Sequence, residues 1–315
     1  MRSSSLLSHR ISGLSENARG ALWILVSVLG ATAMTIGVRE VAAEIHTVML
    51  AFLRSALAMV TVLPILYHHA RPRPHGGGPG PLRFTAWKLH LLRGLAMVVA
   101  LNGGFYAIWK LPLATASILF FLAPIFATLF AMLLLGERVG PRRWAAMLVG
   151  FFGAVLILRP GYAPLEFAML SAVVSSMAFA AVLTIGRMAS DADGSDAVFV
   201  SSTLIVGVAT LPPALLYWDL PGSMATWVLL LVVVAASSVR TYADIRAYAM
   251  GDASFLAPFT YLRLITVGLA GYLMFGETID GVTALGGAVI IASTLYIALR
   301  EAQLKMRRRG PGAAP

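Results

Sequence analysis

Four ionisable side chains lie inside long apolar stretches of the sequence, where a charge is costly and therefore informative. They are Arg54, Arg240, Asp244 and Arg263. At the centre of a membrane helix, each would cost roughly 2.5–3.5 kcal/mol unless it faced protein or water. Because such residues commonly mark a binding site or an ion path, they are the first candidates for chemistry.

Arg240 and Asp244 are four residues apart, which places them on one face of a helix. On that face Arg240 could hold an anionic group while Asp244 takes up a proton, so Asp244 is the candidate for proton coupling. Two other interpretations stay open: a static ion pair that joins this helix to a neighbour, and an Asp244 that is solvated at the cytoplasmic end of the helix.

Arg263 follows Pro258 by five residues, and Pro124 lies at a comparable depth in an earlier apolar stretch. Proline removes a backbone hydrogen bond and commonly kinks a helix, so both prolines are predicted kink or gating positions. An opened backbone beside a charge suggests a site. The alternative is that the kinks serve packing and that Arg263 bonds to the freed carbonyls.

Two further helix faces are candidates for a binding pocket. Asn102, Tyr106 and Trp109 recur at i, i+4 and i+7, a polar and aromatic face that suits an organic solute. The two aromatic residues fit an interfacial belt as well. Arg54 belongs to a stripe of small residues that is typical of close helix packing, and its side chain either reaches the cavity or snorkels outward. The predicted substrate-binding residues are Arg54, Asn102, Tyr106, Arg240, Tyr261 and Arg263.

Other kinds of chemistry are disfavoured by composition. The chain has no cysteine, which removes thiol catalysis and Cys-based metal sites. None of its lysines precedes Ser or Thr, so it has no Walker A motif for ATP. Its six histidines lie in tails, loops or helix mouths, so no metal or other cofactor is expected. A lipid-modifying membrane enzyme would need acids clustered at a helix mouth, and Asp191, Asp193 and Asp196 form the one such cluster, in a segment typical of a solvated turn.

The elements that must position these residues are membrane helices. Apolar residues make up 59% of the 315, and the mean hydropathy is +0.83, more than a soluble globule of this size can bury. We therefore predict an all-α integral membrane protein with ten transmembrane helices. The spanning stretches are 20–38, 47–67, 94–109, 111–136, 144–158, 167–186, 197–218, 220–239, 253–275 and 281–299.

The basic residues predict the orientation. Ten spans place both termini on one side, and most of the 24 lysines and arginines fall in the tails and loops of that side. By the positive-inside rule, both termini are cytoplasmic. The net charge of +10 thus orients the chain and binds lipid headgroups, and no nucleic-acid partner is expected.

The two halves of the chain carry similar motifs. Leu-Gly-Glu at 135–137 and Phe-Gly-Glu at 275–277 follow the fourth and ninth helices, and a short apolar run ends in Arg159 or Arg300 at nearly the same offset. Glu137 and Glu277 are expected to belong to structural turns, since a charge at a helix end has a low free-energy cost. Five helices are an odd number, so the second copy must enter the membrane inverted. We predict tails at 1–19 and 301–315, and repeats at 20–160 and 164–300 with a midplane substrate site between them.

These motifs resemble the drug/metabolite transporter superfamily and, within it, the EamA transporters. The resemblance extends to Ala51-Phe-Leu-Arg54, Leu92-Arg-Gly94, 253–258 (Ala-Ser-Phe-Leu-Ala-Pro) and 261–263 (Tyr-Leu-Arg). It is closest to a bacterial group that includes S-adenosylmethionine uptake and riboflavin carriers. It implies a central cavity open to one side at a time, a place in the bacterial inner membrane, and export rather than uptake.

Three membrane arginines against one aspartate favour a solute with a carboxylate or phosphate, because guanidinium pairs with either group in a bidentate manner. We therefore expect a proton-coupled or exchanging carrier of an amino acid or similar anionic metabolite, acting as a monomer or homodimer. The alternatives are an S-adenosylmethionine or riboflavin uptake carrier, the lipid-modifying enzyme, and a channel, which would have a multimeric pore and no inverted halves.

Overall fold

The computed structural model describes residues 16–70, 82–136, 139–159, 166–250 and 253–309, and within these ranges it contains helices and no strand. The linker at 71–81, Glu137, and the terminal segments 1–15 and 310–315 lie outside the described residues. The helices are α1 Glu16–Glu44, α2 Thr47–Ala58, α3 Leu63–Ala70, α4 Trp87–Lys110, α5 Leu113–Phe120, α6 Ala123–Leu135, α7 Pro141–Leu158, α8 Phe167–Asp193, α9 Ser195–Leu216, α10 Met224–Met250, α11 Ala253–Thr260, α12 Leu262–Phe275 and α13 Gly281–Arg309, and a 3₁₀ turn at Met59–Val62 joins α2 to α3.

Ten stretches of these helices are long and apolar enough to cross a bilayer. Seven are single helices, and three are formed by consecutive pieces: α2 with α3, α5 with α6, and α11 with α12. The fourth span, Leu113–Leu135, has 23 residues, which gives a length of about 35 Å against a hydrocarbon core of about 30 Å. The predicted all-α, ten-helix membrane fold is confirmed.

Because the number of spans is even, α1 begins and α13 ends at the same face of the bundle. We call this the tail face, and the opposite one the far face. Large apolar side chains such as Leu148 and Leu215 point outward around the bundle, where lipid replaces water as their solvent. Inside it, Met49, Leu50, Leu119 and other large apolar side chains are fully buried.

Besides the second span, whose 3₁₀ turn at Met59–Val62 comes just before Pro64, two spans are interrupted close to a proline. Between α5 and α6 the chain makes two tight turns, in which Phe121 N donates to Ile118 O and Leu122 N donates to Leu119 O. Pro124 cannot donate a backbone hydrogen bond, which favours an interruption at this point. The second interruption is at Tyr261, between α11 and α12, where Tyr261 N donates to Pro258 O at 3.2 Å.

The glycines of the two repeated motifs end α6 and α12 in the same way. Gly136 and Gly276 adopt left-handed conformations, with φ of 66° and 64°. A side chain at such a φ is strained, so glycine is the residue that lets a helix stop within one position. The matched caps explain why the motif recurs in the sequence.

Small residues let pairs of spans approach closely. A Cβ at Gly37 of α1 would lie 2.6 Å from a methyl of Val233 on α10, and one at Gly103 of α4 would lie 3.1 Å from Ser171 O on α8. Ser171 Oγ also donates to Gly103 O at 2.9 Å. These two pairs, α1 with α10 and α4 with α8, share the most extensive contacts, followed by α7 with α13.

This pattern of pairs is unchanged when the two halves are exchanged. Exchanging them turns the first span into the sixth and the third into the eighth, so the α1–α10 pair becomes the α8–α4 pair. The fifth and tenth spans, α7 and α13, exchange with each other. The symmetry of the contacts supports the predicted repeat, and the inverted orientation of its second copy stays a prediction.

Candidate functional site

A cavity of about 980 Å³ lies between the two halves of the bundle. Its wall includes Phe105 of α4 and Phe121 at the first helix interruption, and it reaches Gly136 and Arg187, which are exposed at the tail face. Of the residues that join the helix ends at the far face, described below, Ile108 lines this wall but is buried, and Arg39, Trp109, Leu111, Leu113 and Glu277 do not line it. The cavity is therefore accessible from the tail face in this conformation.

Three of the predicted arginines meet in this wall. Arg54 comes from α2, Arg240 from α10 and Arg263 from α12. Arg240 repels both of the others, so all three lie within electrostatic reach. Across the described part of the chain, the guanidinium groups of Arg54 and Arg263 have no hydrogen-bond or ion-pair partner, and the Nε atom of each is buried. The site thus holds positively charged hydrogen-bond donors that the protein itself does not use.

Asp244 lies beside this cluster but is not part of the cavity wall. Its Oδ1 accepts a hydrogen bond from Ser27 Oγ at 2.5 Å, and its Oδ2 is 3.8 Å from Arg240 Nε. The first contact joins α10 to α1, and the second is a loose i, i+4 ion pair. Asp244 also attracts Arg263 electrostatically, so a proton on Asp244 would change the charge of the whole cluster.

An aromatic pair connects the two interrupted spans. Phe121 stacks on Tyr261 with 4.9 Å between the ring centroids and 19° between the planes. Tyr261 Oη shares a hydrogen bond of 2.6 Å with Thr294 Oγ1 on α13. Phe121 lines the cavity and Tyr261 lies behind it. Pro124 is also in the wall, whereas Pro258 is not.

The predicted polar and aromatic face of α4 lies outside the cavity wall. Asn102 Nδ2 donates to Val98 O of its own helix at 2.9 Å, and its Oδ1 atom is buried without a partner among the described residues. Tyr106 packs edge-on against Trp109 and Phe167. Of the nine predicted site residues, the structure brings Arg54, Pro124, Arg240 and Arg263 together in the wall and leaves Asn102, Tyr106, Asp244, Pro258 and Tyr261 outside it.

At the far face, Arg39 and Glu277 tie three helix ends together. Arg39 Nη1 lies 2.6–2.8 Å from the carbonyl oxygens of Ile108, Trp109 and Leu111, at the end of α4. Glu277 accepts from Arg39 Nη2 at 2.9 Å and from Leu113 N, the first residue of α5, at 2.6 Å. A helix end leaves carbonyls that attract a cation, and a helix start leaves N–H groups that attract an anion. We call these six residues, Arg39, Ile108, Trp109, Leu111, Leu113 and Glu277, the far-face knot.

A second ion pair lies at the same face. Arg159, after α7, binds Asp280, which also accepts hydrogen bonds from Val282 N and Thr283 N at the start of α13. Bonds from the hydroxyl and backbone of Thr283, and the charge of Arg159, lower the pKa of Asp280 to about 2. At any pH above the ordinary pKa of an aspartate, the carboxylate therefore gives this helix start its full stabilisation. That stabilisation is lost as the pH falls through about 2.

At the tail face, Asp193 closes the junction between three helices. Its carboxylate accepts from Ala86 N at 2.9 Å and from Thr85 N at 3.1 Å, before α4, and lies 3.0 Å from His90 Nε2. His90 Nδ1 is 2.7 Å from Ser201 Oγ of α9. Asp193 was predicted to belong to a solvated turn, but its side chain is fully enclosed because it satisfies the unpaired N–H groups at the start of α4.

Two arginines of the cavity wall were not predicted as site residues. Arg143 near the start of α7 and Arg187 near the end of α8 line its tail-face end. A basic residue at a cytoplasmic helix end is expected for topology alone, so neither of them stands out in the sequence as a site residue. The sequence holds no signal that separates an arginine at a cavity mouth from one that faces lipid headgroups.

Comparison with known proteins gives a consistent class. The sequence pattern of the EamA-like transporter family matches residues 18–159. The chain is 31% identical over 295 residues to a riboflavin transporter of Vibrio cholerae serotype O1, which covers 92% of this chain and 96% of the relative. It is 27% identical over 289 residues to an S-adenosylmethionine uptake transporter of Rickettsia felis, which covers 92% and 95%.

A solved structure described only as "Crystal structure of protein" has a TM-score of 0.58 and 16% identity, and the match covers 91% of this chain and 99% of the other. At that identity, the likeness concerns the fold alone. Ten membrane helices around a central cavity, together with the sequence matches, define a multi-pass membrane transporter. The chain belongs to the EamA-like transporter family, as the sequence resemblance implied, and it is a transporter of a small molecule and not an enzyme.

Proposed function

We propose that the chain is a secondary active transporter that moves a small organic anion across the bacterial inner membrane by alternating access. The anion is an amino acid or another metabolite with a carboxylate or phosphate group. The observation that carries this proposal is the pair of unpartnered arginines, Arg54 and Arg263, in a cavity shared by the two halves. Guanidinium groups of this kind bind carboxylate or phosphate through two parallel hydrogen bonds.

The conformation fits one state of such a cycle. The cavity is reached from the tail face, which is cytoplasmic in the predicted topology, while the far-face knot joins α1, α4, α5 and the turn after α12. To release substrate on the other side, the knot must open and the tail face must close. A solute gradient, an exchanged solute or protons taken up by Asp244 would drive the cycle, and we propose export as its direction, as the family resemblance implies.

The proposal is tested by counterflow in proteoliposomes. A screen of metabolites by thermal shift on the purified protein selects the best anionic binder, and its exchange is then measured for the wild type and for Arg263→Ala. We expect saturable counterflow in the wild type and a loss of at least about tenfold in the variant, since a charged hydrogen-bond pair is removed. Arg246→Ala, on α10 but outside the cavity wall, is the matched control. Undiminished counterflow in Arg263→Ala, or flux that does not saturate, would contradict the proposal.

A second candidate function is uptake of S-adenosylmethionine or riboflavin. The likeness to carriers with those names over nine tenths of the chain favours it. The arginine cluster disfavours the first of these solutes, because its sulfonium cation would enter a site with excess positive charge. To decide between the candidates, S-adenosylmethionine and riboflavin are each tested as competitors of the best anionic binder. If neither of them displaces that binder and other anions do, the anion carrier is supported.

A further inference from the structure

Leaving aside Arg143 and Arg187 at the tail-face end of the cavity, the charges around it do not balance. Three guanidinium groups, those of Arg54, Arg240 and Arg263, face one carboxylate, that of Asp244. Asp244 is loosely paired with Arg240 and is held by Ser27 on α1, so it leaves the other two guanidinium groups unneutralised. Over the described ranges, neither of these two has another partner. The cluster therefore carries two positive charges in excess.

That excess matters most when the site is closed. An alternating-access carrier passes through a state in which both faces exclude water, and an uncompensated charge in such a state is strongly unfavourable. A neutral solute would leave both charges uncompensated, and a monoanion would leave one. A solute with two negative charges neutralises the cluster, so it lowers the barrier to closure more than the others do.

The two unpartnered arginines also come from different halves of the chain. Arg54 lies on α2 in the first half, and Arg263 lies at the start of α12 in the second, next to the interruption at Tyr261. Apart from its arginines and a few hydroxyl residues, the cavity wall is mostly apolar, with Phe120, Phe121 and Phe179 among its residues. This arrangement suits a ligand with an anionic group at each end and an apolar body between them.

We infer that the cavity binds an organic dianion that bridges Arg54 in the first half and Arg263 in the second. The inference rests on the proposed function and narrows it to a substrate class. Bridging gives the ligand a role in the cycle, since it links the two halves that must move relative to one another. Arg240 adds a third positive charge to the same cavity wall, and Asp244, 3.8 Å from it, reduces the net charge of the cluster by one.

The first test uses the wild-type protein and a length series. Purified protein is titrated with monocarboxylates and α,ω-dicarboxylates of three to six carbons, and with the corresponding diamides, by calorimetry or by competition in the transport assay. We expect the best dicarboxylate to bind about tenfold or more tightly than the monocarboxylate of equal length, because a second charged hydrogen-bond pair forms. Affinity should peak at one chain length, at which both anchors are reached.

The outcomes separate the inference from the proposed function. Equal affinities for monocarboxylates and dicarboxylates at every length would overturn the bridging dianion and leave an anion carrier. Binding of the diamides, with no binding of any carboxylate, would overturn both. Because this series needs no variant, it decides the matter even if a substituted protein fails to fold.

The second test identifies the anchors. Arg54→Gln and Arg263→Gln should each abolish the preference for the dicarboxylate, so that it binds no more tightly than the monocarboxylate does. Arg246→Gln removes a charge from α10 at an exposed position over the Trp23 ring, and it should keep the preference. A variant of Arg54 or Arg263 that is folded and still prefers the dicarboxylate by the wild-type factor would overturn the assignment of the anchors.

Discussion

Arginine residues serve two opposite purposes in this chain. The guanidinium of Arg39 is surrounded by three carbonyl oxygens and a carboxylate, so it is fully used in holding helix ends together. Arg54 and Arg263 carry the same group with no partner among the described residues. A buried charge that the protein does not pair is costly, which is why we assign these two to a ligand and Arg39 to the structure.

The role of Asp244 in coupling is tested by Asp244→Asn. The amide keeps a partner for Ser27 but cannot bind and release a proton. We expect exchange of substrate across the membrane to persist and accumulation driven by a pH gradient to fall to the level without a gradient. Both are measured in proteoliposomes with and without an imposed gradient, with Asp191→Asn, at an exposed position of α8, as the control. Gradient-driven accumulation by Asp244→Asn at the wild-type rate would contradict the coupling role.

At the scale of single residues, the sequence shows which charges lie in apolar stretches, but it does not show which residues they contact. Arg54, Arg240 and Arg263 could be selected because a charge in an apolar stretch needs a reason. The pairing of Arg39 with Glu277 could not be predicted, because the two residues are 238 positions apart and a charge at a helix end has a low free-energy cost. Asp193 was misread for a related reason: its partners, at the start of α4, are more than 100 positions away.

The interrupted helices give the bundle places where it can bend. Both interruptions, at Phe121–Leu122 and at Tyr261, lie close to a proline, and their aromatic rings stack on each other. A broken helix exposes backbone groups, which are tolerated in a membrane only next to protein or a water-filled cavity. The two interruptions lie beside the cavity, so we expect a movement of one half to be passed to the other through the stacked rings.

Glu277→Gln tests whether the far-face knot keeps that face closed. The amide loses the ion pair with Arg39, so we expect the free energy of unfolding to fall by about 1–3 kcal/mol and the far face to open more often. The first effect is measured by thermal denaturation. The second is measured by the labelling of a cysteine at Ala127 in the cavity wall with an impermeant thiol reagent added at the far face.

Glu40→Gln is the control for this experiment, since Glu40 is an exposed acid next to Arg39 in the sequence. It should leave both the melting temperature and the labelling unchanged. If Glu277→Gln labels no faster than Glu40→Gln from the far face, the knot is a static support and the proposed gate is wrong.

The helices themselves were largely predictable, because each span must be both apolar and about 20 residues long. The ten predicted stretches correspond to the ten observed spans. The sequence did not predict where the helices break. Pro124 and Pro258 mark the neighbourhoods, but the interruption at Tyr261 falls three residues after its proline, and α2 passes into a 3₁₀ turn at Met59, five residues before Pro64.

On the scale of the whole molecule, the three most extensive helix contacts keep the same pattern when the two halves are exchanged. The exchange of α1–α10 with α8–α4, and the matched glycine caps at Gly136 and Gly276, support two copies of one five-helix unit. With five spans in each copy, we expect the second copy to be inserted in the opposite orientation, and this arrangement would let one substrate site face either side in turn.

The most direct test of this account is the sidedness of two equivalent loops. Gly140 precedes α7 and Gly281 begins α13, both are exposed, and an added Cβ at either would contact nothing within 4 Å. The chain has no native cysteine, so Gly140→Cys and Gly281→Cys each give a single reactive thiol. With an impermeant thiol reagent on intact cells and on inverted vesicles, we expect Gly140→Cys to react only from the cytoplasm and Gly281→Cys only from the other side. Labelling of both from the same side would contradict the inverted repeat and the transport cycle built on it.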